Sequence, residues 1–343
     1  MAGKWCQEQR LSDLSGEDPN MRVIVFGAGA VGGVIGARLF QHDHDVTFIA
    51  RGDNYVALSK RGIRLEAPEE SVVLRVPVVA DPSHISYGHD DLVILSVKSQ
   101  DTVEALRSLS AAAPSTIAIV CGQNGVENER VALRHFRDVY GMCVMLPATH
   151  LVPGVVQVYS SPVSGLLDVG RWPQGSDDRI THLAAALSSS SFESVVRDDI
   201  GRWKWGKLLM NLGNAVEAVC GPSARPGVLW QRALQEGRTA LKAAGVDYAD
   251  GDEDSSRRGQ LISSKQIHGV DRGGGSSWQS LARATGSVET DYLTGEIVLM
   301  GRLYGVATPV NELLQMLANQ LATERRAPGA WSEQDVIAML AAS

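Results

Sequence analysis

The chain has 343 residues, 44% hydrophobic and 21% charged, which predicts about two domains and is too apolar for a disordered protein. Its net charge is −7 and its pI near 5.6, with no block of Lys and Arg, so no nucleic-acid partner and no membrane-surface face are expected. Gly makes up 35 residues, about 10% against a typical ~7%, so some of the backbone must turn tightly or be closely approached.

Residues 1–20 are polar and mixed in charge, with no apolar run of the signal-peptide kind, and are expected to form a loose extension. Cys6, Cys121, Cys143 and Cys220 have neither CxxC nor metal-ligand spacing. They are expected to be reduced, mostly buried thiols of a cytoplasmic protein, and no metal is expected. From residue 21, short β-branched runs alternate with helical stretches. Strands are predicted at Val23–Phe26, Val46–Ile49, Leu92–Ser96 and Thr116–Val120, and helices at Val31–Gln41, Asp101–Ala112 and Val126–Phe136. Residues 139–167 carry no Asp, Glu, Lys or Arg, but Pro147, Pro153 and Pro162 break any membrane-spanning helix, so further strands are expected there. A helix near Asp177–Leu187 and a strand over Phe192–Val196 complete this half. Near-continuously apolar strands alternating with helices indicate an α/β fold, a Rossmann-like doubly wound parallel sheet.

Beyond Asp199 the strand signal disappears. Helical spacing is predicted for Trp203–Val219, Val228–Ala244, Arg257–His268, Val288–Tyr304 and Glu312–Thr323. Residues 21–198 therefore form the expected α/β domain and residues 199–343 an all-helical one. The composition fixes no oligomeric state, and a homodimer is compatible with it.

The stretch VIVFGAGAVGGVIG places Gly27, Ala28, Gly29, Ala30, Val31 and Gly32 in a GxGxxG loop between the first strand and a helix. The first Gly permits the turn, the second lets backbone approach a pyrophosphate, and the third allows close packing, while the helix N-terminus supplies N–H donors. A dinucleotide site is expected. At the end of the second strand, where an NAD site usually has Asp or Glu, the chain has Arg51, 24 residues after Gly27. Arginine suits a 2′-phosphate, which favours NADP (NADPH); Asp53 could still accept a ribose hydroxyl.

Taken in order, GAGAVGG, VTFIARG, SVKSQDT, QNGVENE, WGKLLMNLGNAV and SSWQSLARATGSVETDYLTGEIV resemble the ketopantoate reductase (2-dehydropantoate 2-reductase) family from about Met21 to Leu321. The resemblance implies a Rossmann domain followed by a helical domain, and reduction of the 2-keto group of ketopantoate to pantoate with NADPH. It places the catalytic lysine at Lys207, the substrate-binding serine at Ser277 and the acidic active-site residue at Glu289, which would pair with or orient Lys207. It places Lys98 facing cofactor and substrate, and Asn124 in contact with both; a turn-forming Asn-Gly pair is the competing reading of Asn124. Cys121 and Gln123, close by, carry no signal of their own. Lys207, Asn211 and Asn214 fall at i, i+4 and i+7, one polar stripe on an otherwise apolar helix that would face the substrate. A lysine in a partly apolar cleft can have a depressed pKa and protonate a carbonyl oxygen as hydride arrives.

The chain departs from the family pattern at several positions. Ala215 stands where a second asparagine is common, with Asn214 one step earlier, a ~100° turn around a helix. Trp278, Leu281, Val288 and Thr294 also depart from the usual residues. These changes imply a pocket for something less polar than ketopantoate. The expected activity is reduction of a small-molecule 2-keto acid. The alternatives are a reductase of a bulkier keto acid or imine, as in opine dehydrogenases, and a non-catalytic NADP(H)-binding sensor.

Overall fold

The computed structural model describes residues 21–342 apart from Pro226 and Asp254; the expected N-terminal extension and Cys6 lie outside the described residues. Strands β1 (Val23–Phe26), β2 (Val46–Ile49), β5 (Val78–Val79), β6 (Leu92–Leu95), β7 (Ala118–Cys121), β8 (Val139–Met145) and β12 (Leu166–Arg171) form one sheet in the order β12-β8-β7-β6-β1-β2-β5. All pairs are parallel except β12 with β8. A second sheet joins β3 (Ile63–Ala67), β4 (Glu70–Leu74), β9 (Ala148–Thr149) and β10 (Val155–Val158) in the order β4-β3-β10-β9.

Alternation along each strand sends side chains to opposite faces, and the core divides accordingly. Val23, Val25, Leu92 and Ile94 pack under Val34, Ile35 and Leu39 of α1 (Ala30–Gln41) and Leu183 and Leu187 of α5 (Asp178–Ser189). Ile24, Val93, Leu95 and Ile119 pack on the other face, under Leu106 and Leu109 of α3 (Thr102–Ala112) and Ala132 of α4 (Asn128–Ala132). The sheet is thus covered on both sides, as the apolar strands required. A helix α2 (Gly52–Arg61) follows β2.

The C-terminal half gathers around its own core of Leu208, Leu212, Val216, Leu229, Ile297, Leu314 and Leu321. It contains α6 (Ile200–Asn211), α7 (Gly213–Cys220), α8 (Val228–Ala243), α9 (Ser255–Leu261), α10 (Ser276–Ala282), α11 (Thr294–Tyr304), α12 (Pro309–Thr323) and α13 (Glu333–Ala342). Among the described residues, no helix is long and apolar enough to cross a membrane.

Several elements differ from the sequence reading. Phe192–Val196 is not a continuous strand; it runs along β12 through parallel bridges at Glu193 and Val196, with the Ser194 hydroxyl and Val195 amide bonded to Leu167 and Asp168 between them. The helix expected over Arg257–His268 stops at Leu261 and becomes β13 (Ile262–Ser264), antiparallel to β11 (Ser160–Pro162) of the sheet half. The C-terminal half is therefore not wholly helical, because a short Ile-Ser-Ser run takes the strand conformation when a partner strand offers its edge. The long helix over Trp203–Val219 breaks at Leu212 into α6 and α7. Cys121 and Cys143 are buried and Cys220 is half-buried.

Candidate active site

A cleft of 1140 Å³ runs from the C-terminal ends of β1, β2 and β6 to the stripe on α6 and α7. At one end lies the Gly-rich loop. Gly27 has φ +110°, and a Cβ there would sit 2.7 Å from the Val97 nitrogen. At Gly32 a Cβ would collide with the Ser96 hydroxyl and the Gly27 carbonyl, whereas at Gly29 it would meet nothing within 4 Å. The loop is thus packed tight beneath and open above, at the N-terminus of a 12-residue helix whose first amides have no intrahelical acceptor. Those features fit a pyrophosphate. Gly32→Ala is accordingly expected to cost about 1–3 kcal/mol of stability. Gly29→Ala should leave the urea midpoint unchanged but weaken cofactor binding; equal effects from both variants would contradict this division.

Arg51 caps α2 at the end of β2 with its side chain 69% exposed, paired with Asp101 at 2.8 Å. Asn54, one turn on, donates to the Ala28 carbonyl at 2.7 Å and accepts from the Gly154 amide at 2.8 Å, tying the loop to its surroundings.

At the other end Lys207, Asn211 and Asn214 all line the cleft. Leu212, between the two helices, keeps helical dihedrals (φ −57°, ψ −30°), so Asn214 stays on the cleft side with Lys207 and Asn211 while Ala215 falls into the helical core. Asn211 Nδ2 donates to Asn124 Oδ1 at 3.1 Å, and Asn214 Nδ2 to the Ser276 hydroxyl at 3.4 Å. Lys207 is half-buried and makes no ion pair or hydrogen bond to the described residues. Burial lowers its pKa to about 8, and the neighbouring Arg225, Arg272 and Arg258 push in the same direction.

Two expected site residues stand differently. Glu289 does not pair with Lys207. It opens a turn docked on the Lys98–Asp101 segment, where it pairs with Lys98 and accepts from the Ser99 amide at 3.0 Å and the Ser99 hydroxyl at 3.1 Å. Burial would raise its pKa, but Lys98 and the Ser99 donors hold it below the ordinary value. Ser277 is buried at the start of α10 and does not line the cleft; Ser276 does, because adjacent helical residues diverge by about 100°. Lys98 and Asn124 both reach the cleft, and Gly125 has φ +86°, so the Asn-Gly turn and the inward Asn124 side chain coexist.

The departures Trp278, Leu281, Val288 and Thr294 are absent from the cleft wall. Leu281 and Val288 belong to the helical core, and Thr294 is buried beside Thr290. They therefore do not make the cleft less polar, as the sequence reading expected. Its wall carries Arg225, Arg258, Arg272, Arg283 and His150 instead. Burial, with Arg283 nearby, lowers the His150 pKa to about 4, which keeps that imidazole neutral at pH 7.

Beneath the site, sequence reasoning missed a polar hub. Buried Asn128 Nδ2 donates to the Ser99 hydroxyl at 3.2 Å and the Asn124 carbonyl at 3.3 Å, and its Oδ1 accepts from the Thr102 hydroxyl at 2.8 Å. Gln123 donates to the Val97 carbonyl at 3.1 Å and to Thr102 at 2.8 Å. Lys204, one turn before Lys207, is buried against Glu129 and donates to the Gln123 carbonyl at 3.0 Å. The QNGVEN run thus holds the loops that carry Lys98 and Asn124. Among the described residues, no group of three or more His, Cys, Asp or Glu could hold a metal ion.

Two family models match the chain, ketopantoate reductase PanE/ApbA over residues 23–174 and its C-terminal counterpart over residues 199–322. The chain is 28% identical over 307 residues to a protein of Halobacterium salinarum named 2-dehydropantoate 2-reductase, a match covering 84% of this chain and 95% of that one. A Pyrococcus horikoshii protein of the same name is 27% identical, with 87% and 96% covered. Among solved structures, a PanE/ApbA family ketopantoate reductase from Ralstonia eutropha JMP134 is 27% identical with a TM-score of 0.74, covering 89% of this chain and 99% of that one. D-mandelate dehydrogenase, solved with NADH and anilino(oxo)acetate, shares the fold at a TM-score of 0.75 and 20% identity, with 89% and 99% covered. A cleft with a Gly-rich helix N-terminus at one end and, at the other, a lysine unpaired among the described residues agrees with these likenesses, and the chain belongs to the ketopantoate reductase PanE/ApbA family.

Proposed function

We propose that this protein reduces the keto group of a 2-keto acid, ketopantoate, to the hydroxy acid pantoate with NADPH, and that residues 21–198 form the cofactor domain and residues 199–343 the substrate domain. The observation that carries this reading is the single cleft joining the open Gly29 loop to Lys207. When bound, NADPH supplies hydride. The loop over Gly27–Gly32 seats the pyrophosphate, and Arg51, exposed at the end of β2, reads a 2′-phosphate. Lys207 holds a proton for the carbonyl oxygen, and its lowered pKa makes that proton easier to give. Asn211, Asn214 and Asn124 hold the substrate's polar groups. Lys98 and Glu289 neutralise each other and fix the loop at the cleft's edge, a positioning role for the pair.

The test is NADPH oxidation by the purified protein with ketopantoate and with other branched 2-keto acids. Absence of turnover with every keto acid, despite NADPH binding, would defeat the reading. Arg51→Ala is expected to weaken NADPH by about 10- to 100-fold, the worth of a charge-assisted contact, and NADH far less. Equal losses for the two cofactors in a binding titration would remove Arg51 from 2′-phosphate recognition.

A further inference from the structure

The charge around Lys207 exceeds what one keto-acid carboxylate can match. Arg225 reaches this end of the cleft from the turn after α7, Arg258 from α9, and Arg272 from the segment before α10. With Lys207 that makes four cationic side chains. The described carboxylates lining the cleft are Asp81, Asp101, Glu104, Glu217 and Glu289. Asp101 pairs with Arg51 at the cofactor end, and Glu289 with Lys98. Only Glu217 faces the cluster, accepting from Arg225 at 3.1 Å and from the Gly275 amide at 2.8 Å.

Arg258 and Arg272 have no carboxylate partner among the described residues. Arg258 reaches the Met210 sulfur at 3.1 Å and the Gly251 carbonyl at 2.5 Å, and Arg272 makes no hydrogen bond to the described residues. The Nε of each is buried without a partner. A guanidinium whose charge meets no carboxylate, with its Nε buried and unanswered, is unfavourable, and two of them lining one cleft, Arg272 with no acceptor at all among the described residues, are matched by an anion that brings its own acceptors. A substrate of charge −1 would leave the cluster with a surplus of positive charge.

We propose that the substrate end of the cleft is built for two anionic groups, and that the enzyme reduces 2-keto acids carrying a second carboxylate or phosphate, seated by Arg258 and Arg272. This rests on the reductase reading and names a further substrate class for the same site. The C2 carbonyl takes hydride from NADPH, which becomes NADP+, and its oxygen takes a proton from Lys207, restored from water. The second anionic group does not react.

The test compares kcat/KM for 2-oxoglutarate, 2-oxoadipate and a phosphorylated 2-keto acid of similar length with that for 2-oxopentanoate, in the wild type and in Arg258→Gln and Arg272→Gln. Expected is an advantage of about tenfold or more for at least one dianionic acid. Which acid gains identifies carboxylate or phosphate as the group seated. Each variant should lose at least ~10-fold more on that acid than on 2-oxopentanoate, with Arg272→Lys recovering part of the loss. A preference for the neutral-tailed acid, or equal losses on both, overturns the proposal while leaving ketopantoate reduction standing. Calorimetry with the NADP+-loaded protein separates the two readings where no keto acid turns over. Tighter binding of 2-hydroxyglutarate than of 2-hydroxypentanoate, lost in Arg272→Gln, supports the second anion seat even if the reductase reading fails, and equal binding overturns it.

Discussion

Lys207→Ala should lower kcat for keto-acid reduction by at least ~100-fold while the protein still folds and binds NADPH. The side chain makes no hydrogen bond or ion pair to the described residues, so its removal leaves no buried polar partner unsatisfied among them. What it removes is a proton held where the carbonyl oxygen acquires charge. Lys207→Arg separates proton from charge: a guanidinium keeps the positive charge but does not give up a proton near neutral pH, so it should recover binding and little of kcat. The pH profile carries the same signature. Burial and three neighbouring guanidinium groups bring the Lys207 pKa down to about 8. The ammonium is the active form, so kcat/KM, which reports the free enzyme, should hold below that pH and fall about tenfold per unit above it. A wild-type profile flat to pH 10, or an alanine variant within ~3-fold of wild type, would remove Lys207 from the proton-donating role.

Lys204→Met acts on stability. The Lys204 and Glu129 side chains are 2% and 0% exposed, and they lock α6 to α4. Removing one member of a buried ion pair costs about 3–5 kcal/mol, because the other charge stays in a dry interior. Burial already raises the Glu129 pKa despite Lys204 beside it, and without the lysine the carboxyl is driven further toward its neutral form. A group with a raised folded pKa gives its stability below the unfolded pKa and loses it as pH rises. The deficit of Lys204→Met should therefore be small near pH 4 and grow through neutral pH in urea titrations. Adding Glu129→Leu should restore much of the loss, since an apolar pair of similar volume needs no compensating charge. A deficit independent of pH would mean that packing, not charge, sets the cost.

The cofactor end was legible because its signal is local. Gly27, Gly29 and Gly32 act on their own turn, and Arg51 follows directly from the end of a strand. The stripe of Lys207, Asn211 and Asn214 was legible through helical period, which the helical dihedrals of Leu212 carry across the junction of α6 and α7. Partner choice between distant residues was illegible: Glu289 could have served Lys207 or Lys98, and only the docking of its turn on Ser99 decides. The faces of Leu281 and Val288 were hidden for the same reason, since a substitution within a motif says nothing of whether it faces the cleft or the core. Arg258 and Arg272 lie in a stretch read as one helix and a Gly-rich break, and only the pairing of β13 with β11 folds that stretch over the site. A signal was present in the run QNGVEN, where four polar residues within six follow an apolar strand, a poor composition for a surface turn alone.

The contact between Asn211 and Asn124 has a direction. Asn211 spends an N–H and keeps its carbonyl free, while Asn124 spends its carbonyl and keeps its amide hydrogens free of the described residues. Two side chains of one chemical kind thus keep different sets of groups, Asn211 its carbonyl and one N–H, Asn124 both N–H groups. A hydroxyl is the small group that can answer both at once, giving its hydrogen to one and a lone pair to the other. A ketone oxygen, which only accepts, can engage the N–H groups left over but leaves the Asn211 carbonyl unanswered. A hydroxyl seated at this point therefore answers more of the pair than a ketone oxygen does.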